Sequence, residues 1–221
     1  PIEYHLEGVM QTQIDTEQGY TFAAAMRSLL RQNPNVIMVG EIRDEETAKI
    51  AIEAAMTGHL VLSTIHTNSA AGAIPRFIGL GIEPKILSSS IECSIGQRLV
   101  RRLCPDCKQE TKLTETDQKE IAEIIKTINP DLKEIVPKNP KYFKANGCEK
   151  CGSIGYKGRI GIYEVITNTV NMQKLIQKSD ITNSEIEEAA IKDGSVLIIQ
   201  DGILKVMEGE TTIEEVFRVA K

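Results

Sequence analysis

The sequence predicts an α/β fold built on a parallel sheet, with a small metal-binding lobe and a helical C-terminal part. Three observations predict it: an all-apolar run at Val36–Val39, a strand, helix and strand pattern between Val36 and Thr67, and two CxxC pairs, Cys104 with Cys107 and Cys148 with Cys151. The division that follows is an α/β core over 1–100, a cysteine-bearing lobe with a polar insertion over 101–160, and a helical subdomain over 161–221.

Taken in order, Phe22, Ala25, Met26, Leu29 and Leu30 recur at helical spacing and predict an amphipathic helix over Thr21–Gln32, stopped by Asn33-Pro34. Arg27 and Arg31 fall on its other face, either solvated or able to reach phosphates or a neighbouring subunit. Val36–Val39 suits a strand buried on both faces of a parallel sheet. Gly40 then lets the backbone turn. In an open α/β sheet the ligand crevice lies beyond the carboxyl ends of the strands, so Glu41 would project where phosphate, magnesium and water are handled. Arg43 is a candidate for charge contacts beside it. In a plainer reading Glu41 and Asp44 simply start the next helix, Asp44 as N-cap with Glu45 and Glu46 favoured by the dipole. That accounts for Asp44 but not for a lone acid directly after a buried strand.

Glu45–Thr57 has Ala48, Ala51, Ile52 and Ala55 on one helical face, with Gly58 as terminator. His59–Thr67 reads as a second strand. A right-handed crossover makes the two strands parallel and brings their ends to one rim, so Glu41 and His66 would share a crevice. A strand-end histidine is also at home as a hydrogen-bonded structural residue, and it is the placement beside Glu41 that favours a site.

The cysteine pairs can each supply two thiolates to one tetrahedral zinc. The loop between them is longer than in a compact zinc ribbon, but Gly147 and Gly152 flank the second pair as in a knuckle. Two disulfides or buried thiols are the alternatives. Four thiolates would close the coordination sphere, so such a zinc is structural. Cys93 is left over and reads as a small buried apolar residue. Residues 108–144 are polar, interrupted by Pro130, Pro137 and Pro140, and read as a mobile insertion carrying one helix marked by Ile121, Ile124, Ile125 and Ile128. Further on, GRIGIYEVI reads as a strand and the last fifty or so residues as helices. Ser184 or Asn183 is expected to cap one of them, and Thr211 with Glu214 to form a capping box for the last.

Of the 221 residues 41% are hydrophobic, enough for a real core and a second small unit. Trp is absent, so aliphatic side chains must do the packing. A net charge of −5 argues against direct nucleic-acid binding, and the local cluster Arg98, Arg101 and Arg102 is too short to overturn this. No apolar stretch approaches the roughly eighteen residues needed to cross a membrane.

The stretch TFAAAMRSLLRQNPNVIMVGEIRDEETAKIAIEAAMTGHLVLSTIHTN closely resembles the secretion ATPases that drive type IV pilus assembly and type II secretion. In that family VIMVGEIRD is the Walker B segment, TGHLVLSTIHT the histidine box, and PIEY looks like the tail of the acidic box. The likeness continues through QRLVRRLCPDC, the second cysteine pair, GRIGIYEV and the last helix. It implies the C-terminal part of a RecA-like P-loop ATPase core with a tetracysteine zinc lobe. Glu41 would be the Walker B acid acting on water and Mg2+, Glu3 a second acid near the water, His66 a γ-phosphate sensor, and His59 a support of the same crevice. Cys104, Cys107, Cys148 and Cys151 would hold Zn2+, a site characteristic of the extension and export branches. The resemblance also implies a homo-hexamer using ATP, cytoplasmic and peripheral at the inner membrane, acting on a membrane platform protein and indirectly on pilin-like subunits. One departure stands out: the family's phosphate loop, GxxxxGK followed by Ser or Thr, is absent, since the chain contains no Gly-Lys dipeptide. The chain therefore reads as a fragment, expected to bind ATP weakly and not to hydrolyse it by itself. A zinc-based nucleic-acid module and a non-hydrolysing ring subunit are the rival readings.

Overall fold

Helix α1 (Phe22–Leu29) starts where the Thr21 hydroxyl accepts from Ala24 N at 3.2 Å. It tightens into a 3-10 turn (Leu30–Gln32) and ends at Asn33 in the left-handed region, φ 51°. The computed structural model describes residues 2, 4–178 and 180–220, so Glu3 lies outside the described residues.

The chain then forms β1 (Val36–Val39), α2 (Glu45–Met56) and β2 (Leu60–Ser63), with β1 and β2 parallel from Val36 opposite Leu60 to Val39 opposite Ser63. Asp44 caps α2, its carboxylate accepting from Thr47 N at 2.8 Å. The expected burial of β1 on both faces is not found. Ile37 and Val39 are buried under helices, whereas Val36 and Met38 are 54% and 64% exposed, because among the described residues the helices cover one face of the pair only.

Two short helices, α3 (Ala73–Gly79) and α4 (Pro84–Ser90), lead into β3 (Cys93–Leu103). Next come β4 (Gln109–Glu110), α5 (Glu115–Lys126), a 3-10 turn (Pro130–Ile135), β5 (Phe143–Lys144), a second turn (Glu149–Cys151) and β6 (Tyr156–Thr167). β3 and β6 form a long antiparallel ladder running from Cys93 opposite Thr167 to Leu103 opposite Tyr156, with an irregularity after Arg101, and β4 pairs with β5. The C-terminal helices are α6 (Val170–Ile176), α7 (Asn183–Lys192), α8 (Ile198–Met207) and α9 (Ile213–Ala220).

Two cores result. The first joins Met26, Ile37, Ala48, Ala51, Ile74 and Leu87 to Met172, Ile176 and Ile186 from α6 and α7. The second gathers Val100, Ile162, Ile203, Val206 and Val216, with Ile121 of α5. Each fully buried Ile or Val here is worth about 1.5–3 kcal/mol. The terminal helices thus divide their packing between both cores, α6 and α7 on the first and α8 and α9 on the second.

The segment expected to be a mobile insertion is tied down. Ile121 and Ile128 are buried, Gln200 donates to the Thr127 hydroxyl at 2.8 Å, and Asn129 donates to Ile191 O at 2.9 Å. Cys93 is exposed at the start of β3, not buried as expected. The caps also shift: Thr182, in extended backbone, caps α7 in a reciprocal pair with Glu185, so neither Asn183 nor Ser184 does so. At α9 it is the Thr212 hydroxyl that faces the first turn, accepting from Glu215 N at 3.5 Å, while the Thr211 hydroxyl donates to Arg101 O at 2.8 Å.

Glu215 has another duty. Only 2% exposed, its carboxylate accepts from Arg101 N at 2.9 Å, from the Arg101 guanidinium at 2.5 Å and from Arg218 at 2.9 Å, tying α9 to β3. Burial alone would raise its carboxyl, but the arginines outweigh burial and hold it at about 2, below the ordinary 4.5. A depressed folded-state value stabilises above the ordinary value and is lost as pH falls through the folded one. Replacing Glu215 by Gln is therefore expected to cost about 3 kcal/mol at neutral pH, since the arginines keep their charges without the carboxylate. The gap to wild type should close between pH 4.5 and about 2. Chemical denaturation of both chains across that window checks this, and a gap independent of pH contradicts it.

Candidate active site and metal centre

The parallel register carries past the strands and brings two loops together. Ile42 N donates to Thr64 O at 2.9 Å, and the Thr64 hydroxyl donates to Gly40 O at 2.7 Å. Held in this way, Glu41 and His66 meet at the carboxyl end of the strand pair. His66 Nε2 faces Glu41 Oε2 at 3.0 Å, and Arg43 Nε donates to the same oxygen at 2.6 Å. The hydrogen bond from His66, with Arg43 adding to it, outweighs burial and keeps the Glu41 carboxyl below its ordinary range. Such a carboxylate is a strong hydrogen-bond acceptor but a poor proton acceptor, suited to orienting water or holding a cation.

Other expected site residues are placed differently. His59 is not brought to this crevice. It precedes β2, at the end opposite His66, where Nδ1 lies 2.9 Å from Ala54 O and 3.2 Å from the Thr57 hydroxyl, closing the C-terminus of α2. Gly40 is not required by a left-handed turn, since its φ is not positive. A Cβ there would meet nothing within 4 Å, so the glycine leaves open space beside Glu41. Arg27 is paired with Glu46 across α1 and α2 at 2.9 Å, both side chains exposed.

At the far end of the β3 and β6 ladder the cysteines converge. All four Sγ atoms lie within 4.8 Å of one another, and none is in a disulfide. Separations of 3.9 Å (Cys104 to Cys148), 3.8 Å (Cys107 to Cys151) and 3.7 Å (Cys148 to Cys151) match the edge of about 3.8 Å of a tetrahedron with metal–sulfur bonds of about 2.3 Å. The chain is shaped around them. Gly147 sits at φ +95°, and a Cβ there would come 2.6 Å from Ser153 O, so the second knuckle can close only on glycine. Cys148 N and Gly155 N each donate to Cys151 Sγ at 3.2 Å. Lys150 joins Asp106 at 2.5 Å, clamping one knuckle to the other.

Burial pushes the Cys107 thiol up to about 12. Burial also opposes ionisation of Cys151, but the two backbone N–H groups outweigh it and bring that thiol down to about 6. Sulfurs packed this closely cannot all ionise without a cation, so the donor set fits a thiophilic metal, held by Cys104, Cys107, Cys148 and Cys151. Sulfur from every side would leave no open position, and the metal's contribution would be to fix the lobe.

Arg98, read from the sequence only as part of a short basic cluster, donates from its guanidinium to Asn68 O at 2.6 Å in the loop after His66, and the sequence does not single out Glu164, a buried carboxylate on β6. A signal for Glu164 existed: it occupies the same phase as Ile162 and Ile166, both buried.

These features define an α/β protein with a carboxylate–histidine pair on the rim of parallel strands and a tetracysteine lobe. The fold is shared with solved structures. It superimposes on the Yersinia pseudotuberculosis ATPase DotB with a TM-score of 0.67 at 21% identity, over all of this chain and 47% of that one. On the pilus retraction motor PilT with bound ADP the TM-score is 0.58 at 23% identity, over 90% of this chain and 43% of that one. Residues 1–218 match the model of the Type II/IV secretion system protein family, and the chain belongs to that family. It is 47% identical over 221 residues to a type II secretion system protein E of Pseudomonas aeruginosa, covering all of this chain and 41% of the relative. It is 43% identical over 216 residues to the type IV pilus assembly ATPase PilB of Thermus thermophilus, covering 98% of this chain and 23% of the relative. The chain thus spans about two fifths or less of the length of these relatives. Among the described residues no helix is long and apolar enough to cross a membrane.

If His66 is what holds Glu41 ionised, His66→Ala raises the pH at which the Glu41 carboxyl titrates, as followed by carboxyl 13C NMR. An unchanged titration contradicts the pairing.

Proposed function

We propose that this chain is the C-terminal part of a motor ATPase that powers type IV pilus assembly or type II protein secretion. The observation that carries the reading is the pairing of Glu41 with His66 on the rim beyond β1 and β2. There, in an α/β nucleotide hydrolase, the terminal phosphate and the attacking water are handled. Glu41 acts as the Walker B acid of a RecA-like core: kept ionised by His66 and Arg43, it orients the water and the hydrated Mg2+ without having to keep a proton. His66, hydrogen-bonded to that carboxylate and otherwise exposed, senses the γ-phosphate by shifting its partner. Phosphoryl transfer to water depends chiefly on such positioning and charge. Glu3 is assigned as a second acid by sequence likeness. The open space beside Gly40 admits a ligand close to the backbone.

The parent chain supplies the phosphate loop missing here, assembles as a hexamer, and works in the cytoplasm against an inner-membrane platform, moving pilin-like subunits through it. Zinc is the metal of the lobe, holding the segments around Cys104 and Cys148 as one docking element. The relatives named above support both the secretion and the pilus branch.

In the full-length protein Glu41→Gln is expected to lower ATP turnover by about a hundred-fold or more, whereas the 221-residue chain alone is expected to show no appreciable magnesium-dependent turnover. Assaying surface pili and exported protein in the same cells assigns the branch, since only the process the motor serves fails. Turnover that survives Glu41→Gln contradicts the assignment. For the lobe, Cys148→Ser is expected to abolish bound zinc by elemental analysis and to lower the melting temperature. Unchanged zinc content and assembly contradict the metal assignment.

A further inference from the structure

Glu164 lies on β6 with 3% of its surface exposed, away from the Glu41 and His66 pair, yet its two carboxylate oxygens serve two different parts of the protein. Oε1 accepts from Ala70 N, in the loop that follows His66, through a short hydrogen bond. Oε2 accepts from Ile198 N, the first residue of α8, at 3.1 Å. The same loop is strapped to β3 by the Ser94 hydroxyl donating to Ala70 O at 2.9 Å and by Arg98 donating to Asn68 O at 2.6 Å.

The space for this junction is built in. A Cβ on Gly96, opposite Glu164 in the ladder, would lie 2.8 Å from Glu164 Cγ and 3.1 Å from Ala70 N. Burying a carboxylate is costly unless both oxygens are satisfied, and here each takes one backbone N–H from a separate segment. Two acceptors on one rigid group mean that a move of the loop at Ala70 is felt at α8. An amide of the same shape could serve only one of the two N–H groups and would present its own N–H to the other.

From this we infer that Glu164 is a positioning residue that couples the His66 loop to the N-terminus of α8, so that the state of the nucleotide crevice is passed to the C-terminal helices. The inference rests on the ATPase reading of the Glu41 and His66 pair. α8 packs on α5, α9 and β6, so a tilt of its first turn is carried into the second core next to the cysteine lobe.

The test uses full-length protein carrying Glu164→Gln, with Glu41→Gln alongside. Expected for Glu164→Gln is a fall in kcat of about ten-fold or more with KM changed less than about two-fold, the pattern of a group acting on the reacting state and not on substrate binding. A purely structural anchor would lower the melting temperature and leave kcat per folded molecule intact, which overturns the inference. Hydrolysis lost in Glu41→Gln but kept in Glu164→Gln likewise overturns the coupling alone, while hydrolysis surviving Glu41→Gln overturns the ATPase reading. A second measurement needs no variant: amide exchange of wild-type protein with and without a non-hydrolysable ATP analogue. Protection is expected to change at both Ala70 and Ile198, and a change at Ala70 with none at Ile198 overturns the coupling.

Discussion

The pairing of β3 with β6 is the constraint on which the rest of the molecule depends. Its register, from Cys93 opposite Thr167 to Leu103 opposite Tyr156, fixes three things at once. At one end it sets Cys104 beside the turn that carries Cys148 and Cys151, so the sulfurs meet without help from a disulfide. In the middle it buries Val100 and Ile162 under α8 and α9 and starts the second core. Towards the other end Ser94, Arg98 and Glu164 all reach into the loop behind His66. One ladder thus joins the crevice, the lobe and the terminal helices, and a slip of one residue would turn each of these side chains to the wrong face.

Buried carboxylates act as the ties between these parts. Glu215 binds α9 to β3 through the guanidinium and the backbone amide of Arg101, with Arg218 of its own helix on the same carboxylate. Glu164 needs no cation, because two backbone N–H groups supply what water would. Each specifies which segments adjoin, and removing Glu215 leaves the arginines around it without their carboxylate. The same logic governs the cysteine cluster, where closely packed sulfurs call for a cation.

Much of this was legible in the sequence. The apolar run at Val36–Val39, the helix after Asp44 and the short connection to Leu60 specify a parallel pair, and with it the meeting of Glu41 and His66. Two CxxC pairs pointed to one cluster. What was not legible depends on tertiary context. Val36 and Met38 look like core residues because hydrophobicity does not say how many helices will cover a face. The resemblance puts His59 beside His66, but the two lie at opposite ends of one strand-like run and so on opposite rims. Caps moved by one or two residues because Thr182, and not its neighbours, adopts extended backbone. Glu164 is not legible because an acid in an apolar strand carries no label of its partners, which are backbone amides distant in sequence.

In the proposed motor, the rim bearing Glu41 and His66 receives the terminal phosphate of ATP. The most direct test is the structure of the full-length protein with Mg2+ and a non-hydrolysable ATP analogue. The γ-phosphate is expected within hydrogen-bonding reach of His66, with Glu41 facing the metal or the water in line with it. A nucleotide bound with its phosphates away from the carboxyl ends of β1 and β2 would contradict it.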